Sequence, residues 1–195
     1  MKNRATLLAI TIVVVTLAVL FGTFRDKPED GFPFGDRRAL LRNLHSALMN
    51  YAADNAGKFP NSEKGPEAAL AKLHPLYCFK PIELAGLSGD IGSVESALKG
   101  GRPLTKDLTS WRYQQGLRND DSKQLALVWE NSDLVNASSR KSTSRVHAAI
   151  LIGGDITNVP SADWESFLQA QKVMRAEALS LRQKQLSQDV SDPQF

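Results

Sequence analysis

The sequence predicts an α+β protein with an N-terminal transmembrane helix, an amphipathic helix packed on a small antiparallel sheet, and a long C-terminal helix. Three features lead to this prediction: an uncharged apolar run near the N-terminus, a helix-spaced apolar stripe after it, and short strand-like runs after residue 108. The 195 residues are 42% hydrophobic and 23% charged, which is typical of a chain that folds around a core.

The first predicted element is a membrane anchor at residues 5–24. The run contains no charged residue, and about 20 helical residues at ~1.5 Å rise span a hydrocarbon core of about 30 Å. A cleaved signal peptide is the alternative, but its apolar core is normally ~7–15 residues long and a small-x-small cleavage site follows it. The length of this run and the sequence LFGTFRDK at its end favour an uncleaved anchor.

Charges on the two sides of the anchor predict its orientation. Lys2 and Arg4 precede it, whereas acidic residues accompany the basic ones on the exit side. The positive-inside rule therefore keeps residues 1–4 in the cytoplasm. We expect a single-pass protein of a bacterial inner membrane, in which a linker at 25–35, interrupted by prolines and glycines, leads into the periplasm.

An amphipathic helix is expected to open a periplasmic domain at 36–160. Its apolar residues recur every three or four positions. They are Leu41, Leu44, Leu48 and Tyr51, flanked by Leu40, Ala47 and Ala52. Asp36 is the expected N-cap, Gly57 stands where a helix end needs positive φ, and Pro60 cannot continue the helix.

The middle of the chain predicts one short helix and an irregular, glycine-rich stretch. Residues 61–77 favour a helix capped by Asn61 or Ser62, with Pro66 near its first turn. The later glycines do not form a phosphate-binding loop, because the Walker lysine is absent. We expect a loop there with one helical turn at 94–98.

Four short runs predict a half-buried antiparallel sheet, because they are rich in aromatic and branched residues and bounded by turn residues. The runs are SWRYQQGL, QLALVWE, RVHAAILI and DITNV. Gly153-Gly154-Asp155 is a hairpin signal between the last two. One face of the sheet and the stripe of the first helix are expected to bury each other.

A long C-terminal helix is predicted at 161–186, with a frayed tail at 187–195. Ser161 is the expected N-cap, and Asp163 and Glu165 suit the positive end of the helix dipole. The first half of this helix is expected to cover the sheet and the second half to project into solvent. A partner-binding helix is the alternative, although no apolar heptad persists.

Few residues suggest catalysis or metal binding, and no cofactor is predicted. His45, His74 and His147 lie far apart without a cysteine pair, so no zinc site is expected, and His45 reads as a partly exposed helix residue. A hydrolytic enzyme is a weaker alternative, in which Cys78 pairs with His74 or His147, or His147 pairs with Asp155. The spacing in the sequence supports neither pairing.

The sequence gives little support to a small-molecule ligand or to nucleic acid as a partner. Trp111, Tyr113 and Trp129 would suit a periplasmic ligand-sensing domain if they lined a pocket, but aromatic residues on short strands are more often core. The formal charge of +3 is small, and no aromatic residue is interleaved with the basic cluster around Arg140, so nucleic acid is not an expected partner.

The order of these elements resembles that of type II secretion pseudopilins and type IV pilin-like proteins. The similarity covers about residues 40–170. It runs from a helix ending in YAADNAGKFP to late strands containing SWRYQQGL, LALVWE and VHAAILIGGDITNVP. The resemblance implies a soluble domain in which the helix packs on the antiparallel sheet.

The chain departs from that family in three respects. Pilins and pseudopilins carry a prepilin peptidase site, with Gly before the apolar segment and Glu early inside it, but here Gly31-Phe32 follows the segment and the first glutamate is Glu29. Family members run the membrane helix straight into the soluble helix, whereas Pro28 to Gly35 should interrupt it. The final hairpin carries Gly154-Asp155-Ile156 where that branch often has Asp-Gly-His, so no chemical role transfers to the turn.

The resemblance implies a non-enzymatic, membrane-anchored envelope protein that binds other proteins, in association with a type II secretion or type IV pilus-like system. The missing peptidase signal suggests a place beside such a machine instead of within its polymer. The expected partners are inner-membrane lipid and envelope or secretion-system proteins. Some pseudopilins hold calcium, and the candidate oxygen donors here are Asp120, Asp121 and Asp133, although they show no ligand pattern.

Overall fold

The computed structural model of the chain describes residues 37–131, 134–135 and 145–191. The predicted anchor at 5–24, the linker at 25–35 and the expected cap Asp36 lie outside these residues. Within the described part of the chain, no helix combines the length and the hydropathy that crossing a membrane requires.

The described residues form five α-helices and five β-strands, which confirms the α+β class and the long C-terminal helix. The helices are α1 (Arg37–Asp54), α2 (Pro66–Leu70), α3 (Pro81–Ala85), α4 (Ile91–Lys99) and α5 (Trp164–Ser191). The strands are β1 (Trp111–Tyr113), β2 (Ala126–Glu130), β3 (Leu134–Val135), β4 (Arg145–Leu151) and β5 (Ile156–Pro160). Short 3-10 turns follow α2 and precede α5, at Ala71–Leu73 and Ser161–Asp163.

Helix α1 buries the predicted apolar stripe. The buried members are Leu40, Leu41, Leu44, Ala47, Leu48 and Ala52. Tyr51 is only half-buried, at the margin of this stripe. The helix ends as predicted, because Gly57 has a φ of +78° and its N–H donates to the Ala52 carbonyl at 2.8 Å. Each fully buried leucine contributes about 1.5–3 kcal/mol to the stability of this layer.

The five strands form one antiparallel sheet, in which four strands lie in the predicted runs and the two-residue β3 was not predicted. Strand β1 pairs with β2, while β2, β3 and β5 all pair with β4. Strand β5 pairs with one side of β4, and β2 and β3 pair one after the other with its other side. The sheet is therefore four strands wide, in the order β1, then β2 and β3, then β4, then β5. The β4–β5 hairpin closes at the predicted turn, where Gly154 has a φ of +90° and the Leu151 N–H donates to the Asp155 carbonyl at 2.9 Å.

Successive side chains of β4 point to opposite faces of the sheet, and each face meets a different helix. Ala148, Ile150 and Ile152 belong to the core that also contains the α1 stripe. On the other face, His147 stacks on Trp164 at the start of α5, with ring centroids 4.3 Å apart. The sheet therefore carries α1 on one face and α5 on the other.

The predictions for the glycine-rich middle of the chain are wrong in part. Helix α2 begins at Pro66 after Gly65, without a side-chain cap, so neither Asn61 nor Ser62 caps it. Where a loop with one helical turn was expected at 94–98, the structure has the short α3 and the nine-residue α4. The Asp90 carboxylate caps α4 by accepting hydrogen bonds from two backbone N–H groups, a local signal that the neighbouring glycines obscured.

Helix α5 differs from its prediction at both ends. It begins at Trp164, after the 3-10 turn that contains Ser161, and it extends past 186 to Ser191. Its second half does not simply project into solvent, because Arg175 donates to the Gln115 carbonyl and Arg182 to the Gly116 carbonyl, both at 3.3 Å. Met174 and Ala178 also pack against the core, whereas the two arginine contacts are polar bonds to backbone oxygens that a search for apolar stripes does not detect.

We expect Gly89→Ala to destabilise the domain by about 1–3 kcal/mol, the usual cost of overpacking. A β-carbon at Gly89 would overlap the carbonyl oxygen of Ala85 at the end of α3 and would lie 2.9 Å from the carbonyl oxygen of Leu108. Denaturant unfolding of the purified protein measures the change.

The matched control for this substitution is Gly92→Ala within α4. Its β-carbon would meet only the Asp90 carboxylate, at 3.5 Å, and alanine is the better helix former by up to about 1 kcal/mol. The control should therefore be neutral or slightly stabilising. Equal loss of stability in the two variants would contradict the close approach at Gly89.

Candidate functional site

The hairpin that closes the sheet is held against α1 by His45. The Nε2 atom of His45 lies 3.0 Å from the Ile152 carbonyl oxygen, and because a carbonyl oxygen can only accept, we assign Nε2–H as the donor. The ring also lies against Gly154, where an added β-carbon would approach Cε1 to 3.4 Å. His45 is half-buried, near the exposure expected for it, and it links the helix to the hairpin across 107 residues of sequence.

Four rings, which we call the aromatic cluster, fasten α5 to the sheet. They are Trp129, His147, Trp164 and Phe167. Trp164 lies at the centre, stacked on His147 at 4.3 Å and on Phe167 at 5.3 Å, and edge-on to Trp129 at 6.5 Å. Such pairs contribute about 0.5–1.5 kcal/mol each beyond the area that they bury. The tryptophans and Phe167 remain half-buried, so part of the cluster faces solvent.

Cys78 is buried and hydrogen-bonded. It is 1% exposed, and its thiol donates a hydrogen bond to the Glu83 carboxylate at 3.1 Å. Burial, followed by the hydrogen bond to Glu83 and the negative charge of that carboxylate, raises the pKa of Cys78 far above its usual value. A thiol held in its protonated form is a poor nucleophile, because the thiolate is the reactive species.

The structure does not bring together the other residues weighed for catalysis. His147 lies in the aromatic cluster, and its Nδ1 atom has no hydrogen-bond partner among the described residues. Asp155 lies in the β4–β5 turn, and His74 follows the 3-10 turn after α2. In the described part of the chain, neither histidine is a hydrogen-bond partner of Cys78.

The three aromatic residues weighed for a ligand pocket lie on two faces of the sheet. Trp111 and Tyr113 are 0% and 3% exposed in the core. The Trp111 indole donates to the Glu83 carbonyl at 2.9 Å, and the Tyr113 hydroxyl donates to the Pro60 carbonyl at 2.8 Å. Trp129 lies on the opposite face in the aromatic cluster, so the three do not line one pocket.

The described surface carries two shallow polar cavities of about 180 and 240 Å³. The first lies beside Lys106, Ser110 and Arg112, and the second lies beside His74 and Arg102. Both are smaller than the ~300–1,000 Å³ that is usual for small-molecule sites. Among the residues that the structure describes, no group of three acidic, histidine or cysteine side chains is placed to hold a metal ion.

The aspartates weighed as calcium donors are paired with arginines. Arg182 of α5 places Nη2 2.6 Å from both carboxylate oxygens of Asp121, whose side chain is 8% exposed. Asp120 accepts a hydrogen bond from Arg118 at 3.0 Å, and this bond lowers the pKa of Asp120. Asp133 lies outside the described residues. A guanidinium thus stands beside Asp121 where a cation would bind, and it ties α5 to the loop before β2.

The contacts of Arg182 were not anticipated from the sequence. Gln171, Arg175 and Arg182 are spaced by four and seven residues, so they share one face of α5. All three side chains form hydrogen bonds with parts of the domain outside α5, and Gln171 accepts from the Ala126 N–H at 2.7 Å. A polar stripe at helical spacing was therefore the available signal.

We expect Arg182→Ala to lower the free energy of unfolding by about 1–3 kcal/mol, because it leaves the nearly buried Asp121 carboxylate without its guanidinium. Lys184→Ala is the matched control, since Lys184 is exposed on the same helix. Denaturant unfolding gives the stability change, and amide hydrogen exchange should show faster opening of α5 only in the Arg182 variant. Equal effects of the two substitutions would contradict a holding role for Arg182.

No family model, curated protein or solved structure matches this chain. The function proposed below therefore depends on the chain's own residues and on the described fold.

Proposed function

We propose that this chain is a membrane-anchored, pseudopilin-like envelope protein that acts by binding other proteins and not by catalysis. Residues 5–24 hold it in a bacterial inner membrane with residues 1–4 in the cytoplasm. The α+β domain then lies in the periplasm, where it contacts components of a type II secretion or type IV pilus-like system.

The observation that carries this proposal is the packing of α1 on the antiparallel sheet. Helix α1 buries its stripe against one face, ends at Gly57, and is joined to the last hairpin by His45. This is the element order and the layer arrangement that the pilin-like resemblance implies.

The contacts of the reactive side chains also favour a binding role. Cys78 is held as a protonated thiol by Glu83, His45 holds the hairpin, and His147 stacks in the aromatic cluster. Each of these groups has a structural contact that accounts for its position. We therefore propose no reaction for these side chains.

The segment before α1 favours a place beside the secretion machine. A pilin that polymerises needs the peptidase site and the early glutamate, and this chain has neither in or before its apolar run. Pro28 to Gly35 should also interrupt the continuous helix on which pilin assembly depends. We therefore propose an accessory protein with its own permanent anchor.

We expect intact-mass analysis of the membrane-extracted protein to find residues 1–25 present, because LFGTFRDK at the end of the apolar run is a poor cleavage site and the run carries no prepilin peptidase signal. The protein should remain in the membrane pellet after alkaline carbonate extraction. Val14→Arg with Leu17→Arg is the control, since each arginine at mid-span costs about 2.5–3.5 kcal/mol of insertion free energy. A chain beginning near residue 26, or wild-type protein in the carbonate supernatant, would contradict the anchor.

We expect chemical cross-linking in intact cells, followed by purification of the full-length chain, to recover inner-membrane proteins of a secretion or pilus-like system. The Val14→Arg, Leu17→Arg variant should lose them, because it no longer shares their membrane. Mass spectrometry of the cross-linked partners provides the readout. Recovery of no envelope protein above that variant's background would refute the binding role.

A further inference from the structure

Leu76 and Phe79 are exposed apolar side chains in one short loop, and we call this pair the apolar tip. They are 76% and 74% exposed, the highest values among the large hydrophobic side chains that the structure describes. Burial of such side chains is favourable by an amount proportional to the apolar area removed from water. A single exposed leucine is ordinary, but two large apolar side chains presented together indicate a contact surface.

The loop that carries the apolar tip is fixed from its inner side. Cys78 lies between the two exposed residues and is 1% exposed. The backbone N–H groups of Tyr77 and Cys78 both donate to the Leu73 carbonyl, at 2.8 and 3.0 Å. The Tyr77 ring packs edge-on against Tyr51 of α1, and its hydroxyl donates to Asp54 at 2.9 Å. The exposure of the tip therefore belongs to an anchored loop and not to a loose one.

Two exposed lysines flank the apolar tip. They are Lys72 and Lys80, and residues 68–82 contain no aspartate or glutamate. Asp54 and Glu83 also contact the loop, where they accept hydrogen bonds from Tyr77 and Cys78, so the charge that favours anionic lipid is carried by the two exposed lysines. Apolar side chains between lysines complement the interface of a bilayer that contains anionic lipids.

A bilayer is also within reach of the tip if the proposed anchor holds. Residues 25–36 separate the anchor from α1, and 12 residues of extended chain span at most about 40 Å. Along α1, Tyr51 lies about 21 Å from Arg37 at ~1.5 Å per residue. The tether is therefore longer than this distance, and it raises the effective concentration of lipid at the loop.

We propose that the apolar tip docks the domain onto the bilayer that carries its anchor. Leu76 and Phe79 enter the interfacial region, and Lys72 and Lys80 pair with anionic headgroups. The contact is small, so it is reversible and depends on the tether. This inference rests on the proposed function through the anchor alone and not through any secretion partner.

The test uses the full-length chain in nanodiscs, one copy per disc, made of phosphatidylcholine with or without phosphatidylglycerol. An environment-sensitive NBD label on Leu76→Cys reports the tip, and the same label on Val173→Cys, a 51% exposed position on α5, is the matched control. Native Cys78 resists labelling because it is buried and protonated. The unsubstituted chain, treated in parallel, measures any background.

In discs with phosphatidylglycerol we expect a blue-shifted emission at position 76 that doxyl-labelled lipid quenches, and no such change at position 173. Lys72→Gln with Lys80→Gln should lower the ratio of docked to undocked molecules about 30-fold, at roughly fivefold for each lysine near an anionic surface. Phe79→Ser should weaken the quenching as well, because it removes the apolar side chain that the labelled chain retains beside position 76.

Solvent-like emission at position 76 in these discs would overturn the docking proposal. A blue shift that doxyl lipid does not quench would also overturn it, since the tip would then contact protein. Unchanged quenching in the double lysine variant would exclude headgroup pairing and overturn the proposal as stated. A chain that fails to co-elute with discs would refute the anchor itself, whereas a co-eluting chain with a solvent-exposed tip would refute docking alone.

Discussion

Burial of the α1 stripe on one face of the sheet is the contact on which the rest of the fold depends. Leu41, Leu44 and Leu48 lose all exposure there. The facing strands are short, and β1 has only three residues, so backbone pairing alone would hold it weakly. Its buried side chains Trp111 and Tyr113 fasten it instead, through hydrogen bonds to backbone carbonyls outside the sheet. The sheet edge is therefore held by α3 and by the segment after α1, and its side chains join the same core as the α1 stripe.

The second face of the sheet is covered by a different kind of contact. Helix α5 has few buried apolar residues, and it is held by the aromatic cluster at its start, by Met174 and Ala178 against the core, and by polar bonds from Gln171, Arg175 and Arg182. Polar bonds to backbone carbonyls are directional, so they set where the helix lies more than how strongly it is held. Because helices cover both faces of the sheet, loops such as the one at residues 74–80 are the surfaces that we propose for contacts with lipid or protein.

Several side chains that suggested chemistry have structural contacts in the folded chain. Cys78 donates to Glu83, His45 contacts the hairpin, and Asp121 binds a guanidinium. The proposed binding role agrees with these contacts, because a docking protein needs a rigid body more than a reactive centre. The proposed anchor and the apolar tip would together orient that body on one membrane. Orientation would then decide which loops a partner meets.

Local patterns in the sequence determined α1, its end at Gly57, four of the five strands and the hairpin at 153–155, but not the two-residue β3. These features depend on periods of 3.6 and 2 and on a glycine at positive φ, all of which involve neighbouring residues. Tertiary structure alone decided that Trp111 and Trp129 lie on opposite faces, that His45 contacts Ile152 and that Arg182 contacts Asp121. Those last two contacts join residues 107 and 61 positions apart. A local pattern carries no information about which distant group will arrive, because the packing of the whole core brings such groups together.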